Sequence, residues 1–426
     1  MLRRLKHISR AILEEASAYH PSNVEALEIC RLERSLSPRV TTPNRQHLTD
    51  AISWIKRAQK AAGDCGGVSW GYCARVPLCS DVPRGWMEPY PETTGYIIPT
   101  FLRYARFAGD SEAAEAARRM ADWEVRIQLP DGGFPGGIYG SQPVSSSTFV
   151  TGQVLFGLLE AYREWNTEQY FRDAAIRAGD FLLECLDETG RFTRGYSHFC
   201  APGSKAYEVR TGLAMAQLGV MLERDTYTRA ASRIADYALS CQQRNGWFRE
   251  NDLEIHDKPL THTIGYVLEG LQGLGLLLNR ADCQDAVQLT LGALSKLVKS
   301  DGYLAGRWQN DWTPAVDWVC LTGSAQIAGV FLRMNRILGI PEYIEAGRRL
   351  LEFVCWTQDV KGQSPALSGG IRGSYPFGGE YGRWSVLNWA TKFFSDSLMD
   401  YISMPSTVAK EETADLFAAP MDIPML

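Results

Sequence analysis

The chain has 426 residues, 45% of them hydrophobic and 22% charged, with a formal net charge of −5. That length exceeds one ordinary hydrophobic core unless the fold is repetitive or barrel-like. The mild negative charge and the lack of any long basic run exclude a nucleic-acid partner, and no apolar segment reaches membrane-spanning length.

The chain opens with MLRRLKHISRAILEEASAY, which is basic and then amphipathic. It lacks the apolar core and small-residue cleavage site of a signal peptide, so a cytoplasmic location is expected. Residues 1–42 read as a helical arm, with RSLSPRVTTPNR (34–45) as its linker. The ten cysteines are scattered singly, without a CxxC pair, and Cys65, Cys73 and Cys79 are too loosely spaced for zinc. Reduced thiols, no metal and no cofactor are the expectation.

From residue 43 onward the chain repeats itself. Thr-Gly precedes apolar helical runs at Thr94-Gly95-YIIPTFL, Thr151-Gly152-QVLFGLL, Thr211-Gly212-LAMAQLG and Thr322-Gly323-SAQIAGVFL. Thr263-Ile264-Gly265 is a variant. A sixth copy, Asn388-Trp389-ATKFFSDSLMDY, keeps the run without the signature. Successive copies lie about 50–60 residues apart, a spacing that means a repeat architecture. Before each run stands a glycine followed closely by an aromatic or apolar residue: Gly67-Val68, Gly133-Phe134, Gly190-Arg191-Phe192, Gly246-Trp247-Phe248, Gly302-Tyr303 and Gly370-Ile371. Before that glycine lies an amphipathic stretch, as in DSEAAEAARRMADWEVRIQ (110–128), TYTRAASRIADYALSCQQ (226–243) and PEYIEAGRRLLEFVCWTQ (341–358), with apolar residues at helical spacing.

Six units of polar-faced helix, glycine loop and apolar helix follow. A helix that is apolar nearly all round must be surrounded by protein. Six of them ringed by six amphipathic helices make an all-α (α/α)6 toroid over residues 43–403, and a stacked solenoid is the competing architecture. Residues 404–426 read as a tail without period. Because every apolar helix follows a long loop, all six N-termini gather at one mouth. That mouth collects partial positive charge and free N–H groups, which favour an anionic or hydroxyl-rich ligand.

Candidate site residues are those the repeat brings to the mouth. Glu92 sits two residues before Thr94 and is read either as a helix N-terminal acid or as a catalytic carboxyl. Arg210 and His262 each precede a signature threonine, and Glu208, Asp317 and Glu380 lie just outside. Arg210 can pair with Glu208 or hold a substrate carboxylate. Tyr266 follows on the fourth apolar helix. Trp247, Trp318 and Trp384 are expected to offer flat faces for sugar rings, with Trp247 and Trp384 at the rim.

The stretches QLPDGGFPGG (128–137) and QQRNGWF (242–248) resemble the Gln…Gly-Trp/Phe repeats of squalene-cyclase and protein-prenyltransferase toroids. The layout is similar to six-hairpin glycosidases, toroidal polysaccharide lyases and sugar 2-epimerases. YPETTGYIIPTFL and the Cys320-Leu321-Thr322-Gly323 run resemble a bacterial toroid group associated with surface-polysaccharide metabolism. The cyclases' DxDD motif is absent, the prenyltransferase zinc triad lacks its late histidine, and the epimerases' second histidine is missing. The resemblance therefore implies an oligosaccharide or polysaccharide partner, with glycoside hydrolysis by Glu92 and Asp317 as the first expectation. A lyase using His262 or Tyr266 with Arg210, a non-catalytic glycan-binding or polysaccharide-biosynthesis accessory protein, and a terpene-cyclase-like enzyme are the alternatives.

Overall fold

The computed structural model describes residues 23–35, 42, 44–75, 84–196, 200–255, 257–360, 362 and 364–404. Most of the linker over 34–45 and all but the first residue of the tail fall outside them. Among the described residues there are thirteen helices. Helix α1 (Val24–Ser35) precedes the ring. The ring itself begins with α2 (Asn44–Ala61) and continues as α3 (Pro91–Ala108), α4 (Ser111–Ile127), α5 (Thr148–Glu164), α6 (Gln169–Cys185), α7 (Val209–Leu222), α8 (Asp225–Cys241), α9 (Thr261–Leu277), α10 (Ala281–Leu297), α11 (Leu321–Leu338), α12 (Pro341–Thr357) and α13 (Asn388–Ile402).

The odd-numbered helices α3 to α13 pack side by side in chain order, and α13 returns to α3. That contact closes an inner ring, so the toroid and not the open solenoid is realised. The closing seam is ionic: Arg103 on α3 donates to Asp400 on α13 at 2.7 Å, and Thr100 donates to Asp396 at 3.2 Å. The even-numbered helices form the outer ring. Each inner helix packs chiefly on the outer helix that follows it across a short turn, and α13 takes α2, the first outer helix, as its partner. The packing hairpin is thus inner-then-outer, one step out of phase with the outer-loop-inner unit read from the repeat.

In the first, second and sixth copies the two repeated signals are halves of one contact: the threonine hydroxyl at the start of the inner helix accepts the backbone N–H of the residue after the loop glycine. Val68 donates to Thr94 at 3.0 Å, Phe134 to Thr151 at 2.9 Å and Ile371 to Thr391 at 2.9 Å. The sixth copy therefore keeps its threonine as Thr391, and only the glycine has changed, to Lys392. A buried N–H without this hydroxyl would be left unpaired, at a cost of roughly 1–3 kcal/mol. Thr263 instead donates to the Asn251 carbonyl, and the Phe192 N–H goes to Ser204 Oγ. The paired glycine serves a second purpose, close approach of neighbouring inner helices. A methyl group on Gly95 would lie 2.5 Å from the Val154 backbone, and one on Gly152 would lie 2.4 Å from the Thr211 side chain.

Short strands tie the mouth loops together. β1 (Gly71–Cys73) pairs with β2 (Gly85–Trp86) and with β4 (Ser385–Leu387), which pairs with β3 (Ile371–Arg372). The first and sixth loops are so joined directly above the ring seam. Helix α1 lies against the same loops. Its Glu33 pairs with Arg372 at 2.6 Å and accepts the Phe377 N–H at 3.0 Å, while Glu25 takes the Tyr72 hydroxyl at 3.0 Å. All described cysteines are free, and no described helix is long and apolar enough to cross a membrane.

Candidate active site

Pro91 opens α3 and Glu92 follows it, so the carboxyl projects from the first turn into the mouth. It does not cap its own helix. Tyr90 donates its hydroxyl to Glu92 Oε2 at 2.6 Å, and the Tyr266 hydroxyl, from α9 across the ring, stands 3.5 Å from Oε1. Burial pushes the carboxyl up from 4.5 to about 7, although the Tyr90 bond, the Arg210 charge and Tyr266 each pull it down.

Glu208 is the second raised carboxyl. It is 5% exposed and ends a 3-10 turn (Ala206–Glu208), where it accepts Ser204 Oγ at 2.7 Å and the Lys205 N–H at 2.9 Å. Burial pushes it to about 7 against these bonds. The charges of Glu92 and Glu208 both act on Cys200 and on Tyr207, and the Tyr207 ring packs 6.3 Å from Tyr266, whose hydroxyl faces Glu92. The Cys200 thiol lies 3.3 Å from the Tyr207 hydroxyl.

His262 is buried beside them. Its Nδ1 lies 2.5 Å from Gln326 Oε1, and its ring packs 4.3 Å from Tyr266 and 5.6 Å from Tyr381. Burial drives its pKa from 6.5 down to about 3, so the imidazole is neutral at neutral pH. Burial drives the Tyr266 phenol well above its ordinary value.

Arg210 lies deeper and is fully engaged. Its Nε pairs with Glu269 at 3.1 Å, Nη1 bonds Gln153, and its guanidinium sits among the rings of Phe156, Tyr266, Tyr96 and Phe393 at 4.9–5.5 Å. The expected Arg210–Glu208 pair is therefore replaced by Arg210–Glu269. Below it the axis continues as a run of charges. Glu269 faces Arg333 at 3.5 Å, Arg333 pairs with Asp400 at 2.9 Å, and Lys392 pairs with Asp396 at 2.8 Å.

The remaining expected residues stand elsewhere. Asp317 is exposed, and the group its charge acts on is Tyr303, not Glu92. Its described contacts do not bring it to the mouth carboxyls. Glu380 is 60% exposed and faces Arg307 at 3.8 Å. Trp247 and Trp384 do not form a rim, since they are 3% and 8% exposed and fill the loop layer. Trp318 is buried too, in a small cluster with Leu260 and Cys320 against which Tyr381 packs. Loops wide enough to bridge neighbouring hairpins need large apolar plugs, which is why these indoles turn inward. The residues that the repeat did not point to are Cys200, Lys205, Tyr207 and Glu269. Only Glu269 had a visible signal, as the one carboxylate in the apolar run YVLEGLQGLGLLL.

These pKa values set a pH dependence of stability. Between pH 4.5 and 7 the native state keeps protons on Glu92 and Glu208 that the unfolded chain has released, so stability falls as pH rises through that window. For Glu208 alone the loss is roughly 3 kcal/mol. His262 acts in the opposite sense: from pH 6.5 down to 3 the unfolded chain binds a proton that the native imidazole refuses, so stability falls as pH drops. Two carboxyls outweigh one imidazole above pH 4.5, and only the imidazole acts below it. Among these three groups stability peaks near pH 4.5. Melting temperatures of the wild type and Glu208→Gln measured from acid to neutral pH check this. The variant is expected to lose part of the decline toward neutrality, and an unchanged slope would contradict the assignment.

No protein-family model and no curated protein matches this chain. Its likeness to solved structures is extensive. An unsaturated glucuronyl hydrolase specific for heparin superposes with a TM-score of 0.64 at 13% identity, over 86% of this chain and 98% of the other. The unsaturated glucuronyl hydrolase of Bacillus sp. GL1, described as responsible for glycosaminoglycan degradation, gives 0.62 at 14% identity, over 84% and 96%. The cellobiose 2-epimerase of Bacillus thermoamylovorans B4167 gives 0.62 at 14%, over 84% and 98%. At these identities the likeness speaks for architecture alone: this chain has the (α/α)6 toroid of six helical hairpins that those enzymes share.

Proposed function

We propose that the protein is a carbohydrate-active enzyme that hydrolyses a glycosidic bond in an oligosaccharide, with Glu92 as the proton donor. The observation that carries this reading is the Glu92 carboxyl held near pH 7 at the inner-helix mouth, bonded by one tyrosine and faced by another. A general acid is most effective when its pKa lies near the working pH. Glycoside hydrolysis needs two carboxyl groups, one protonated and one ionised. Glu208 is the second in this proposal, in place of the Asp317 suggested by the repeat, because Glu208 shares its surroundings with Glu92 and Asp317 does not.

In the proposed step Glu92 gives its proton to the glycosidic oxygen as the anomeric carbon–oxygen bond breaks. Glu208, in the fraction ionised near pH 7, removes a proton from the water whose oxygen bonds that carbon. One water is consumed, and solvent exchange returns both carboxyls to their starting forms. The toroidal glucuronyl hydrolases of similar structure support a sugar substrate by analogy of fold. An elimination mechanism is less well supported. It asks for a basic His262 or Tyr266 and a free Arg210, whereas His262 titrates near 3, the Tyr266 phenol is pushed upward and Arg210 is bound to Glu269.

The test is incubation with unsaturated uronyl disaccharides, saturated uronyl oligosaccharides and cello-oligosaccharides in oxygen-18-labelled water. Hydrolysis of at least one, with label in the new reducing end, is the expected result. New unsaturated-uronate absorbance without label would indicate a lyase, and a same-mass isomer an epimerase. Binding without turnover across the panel would indicate a glycan-binding protein. Any of these three overturns the proposal.

A further inference from the structure

His262 stands in the first turn of α9, one turn before Tyr266. Its ring packs 4.3 Å from that of Tyr266, whose hydroxyl faces Glu92. The two imidazole nitrogens are not equivalent. Nδ1 lies 2.5 Å from Gln326 Oε1. Nε2 has no partner among the described residues, yet it is not one of the unpartnered polar atoms sealed from solvent. The 5% of the residue that stays exposed therefore includes that nitrogen. His47 supplies the contrast. Its Nδ1 lies 2.5 Å from Gln358 Oε1 in the same way, but its Nε2 is sealed.

The surroundings decide which nitrogen of His262 carries the proton. Gln326 Nε2 donates to Glu269 Oε2 at 3.3 Å. Glu269 stands between two guanidinium groups, Arg210 at 3.1 Å and Arg333 at 3.5 Å, and a carboxylate so held only accepts. The Gln326 amide is thereby held with its N–H toward Glu269 and its oxygen toward the imidazole. An oxygen facing Nδ1 needs a proton there. Burial keeps the ring neutral at neutral pH, so Nε2 is left with the lone pair. Gly265 provides the room for this arrangement, since a methyl group on it would lie 2.9 Å from both Cβ and Oε1 of Gln326.

We infer that Glu269 and Gln326 are positioning residues that fix His262 as its Nδ1–H tautomer, so that Nε2 stands in the mouth as a neutral acceptor for a hydroxyl of the bound sugar. The acceptor role rests on the reading of the mouth as a sugar site, and the tautomer does not. His262 then contacts the substrate but takes no proton in the bond-breaking step.

The test is nitrogen-15 NMR of the full chain labelled at histidine, at neutral pH, with His262→Gln and His47→Gln identifying the two signals. The wild type is expected to carry the His262 proton on Nδ1. Gln326→Met is expected to move it toward the Nε2–H form that free histidine prefers, and Glu269→Gln to do so in part. Gln326→Leu replaces the methionine variant if its circular dichroism spectrum departs from native. An Nε2–H wild type, or a tautomer that neither substitution moves, overturns the inference. The three glycans of the hydrolysis panel are then titrated into the labelled wild type. At least one is expected to shift the His262 Nε2 resonance and leave that of His47 in place. A His262 resonance that none of them moves overturns the acceptor role. On the substrate that the panel identifies, Gln326→Met is expected to raise KM about fivefold, the worth of one neutral hydrogen bond, without moving kcat or the pH limb near 7. Unchanged KM likewise overturns the acceptor role. Hydrolysis with an unmoved Nε2 removes the inference and keeps the hydrolase. A moved Nε2 with no hydrolysis of any member keeps the inference and removes the hydrolase.

Discussion

Glu92→Gln is expected to lower kcat/KM on the substrate identified by the panel by about 10²–10⁴-fold, with the fold and substrate binding retained. The amide keeps the shape of the side chain and removes its transferable proton. The pH profile sharpens the expectation. Wild-type activity should fall as pH rises past about 7, where Glu92 loses its proton. Tyr90→Phe should move that limb to higher pH, because the Tyr90 hydroxyl at 2.6 Å favours the ionised carboxyl. A merely structural role for Tyr90 would lower activity at all pH values without moving the limb. Glu92→Gln with activity within a few-fold of the wild type would place the chemistry elsewhere.

Asp400→Asn is expected to cost about 3–5 kcal/mol of folding stability. Asp400 is 1% exposed at the foot of the ring. Burial by itself would raise its pKa, but Arg103, Arg333 and Arg336 together hold it below its ordinary value. Two of them pair with it at 2.7 and 2.9 Å, and the third stands 3.9 Å away. An asparagine would leave Arg103 and Arg336 without the anion they pair with, and Arg333 with Glu269 alone. Arg103 comes from α3 and Asp400 from α13, so the loss falls on the seam where the first and last inner helices meet. Chemical denaturation measures the change, and a loss below about 1 kcal/mol would mean that water or Asp396 replaces the missing charge. Because the pKa is depressed, the carboxylate's contribution is present above its unfolded value of 3.8 and is lost as pH falls through the lower native value.

The six helical units were legible in the sequence, and their closure into a ring, against a stacked solenoid, came from the contact of α13 with α3. Thr-Gly at intervals, the loop glycines and the near-uniform apolarity of YVLEGLQGLGLLL are local facts, and each is dictated by what its own backbone and immediate neighbours require. Glu92 was legible for the same reason: its place two residues before Thr94 puts it in the first turn of an inner helix whatever the rest of the chain does. Only the tertiary structure decided which groups meet it. Tyr266 reaches Glu92 across 174 residues, and Glu269 claims Arg210 from a helix 59 residues away. Asp317 occupies the expected position before its signature threonine, yet the path of its loop leaves it exposed. The pairing of α2 with α13 was likewise out of reach, because a closed ring has no natural first member and the repeat reads equally well in either phase. Helix periodicity is a property of a few consecutive residues. The separation of two side chains across a toroid depends on ring curvature and loop path, which come from the packing of the whole.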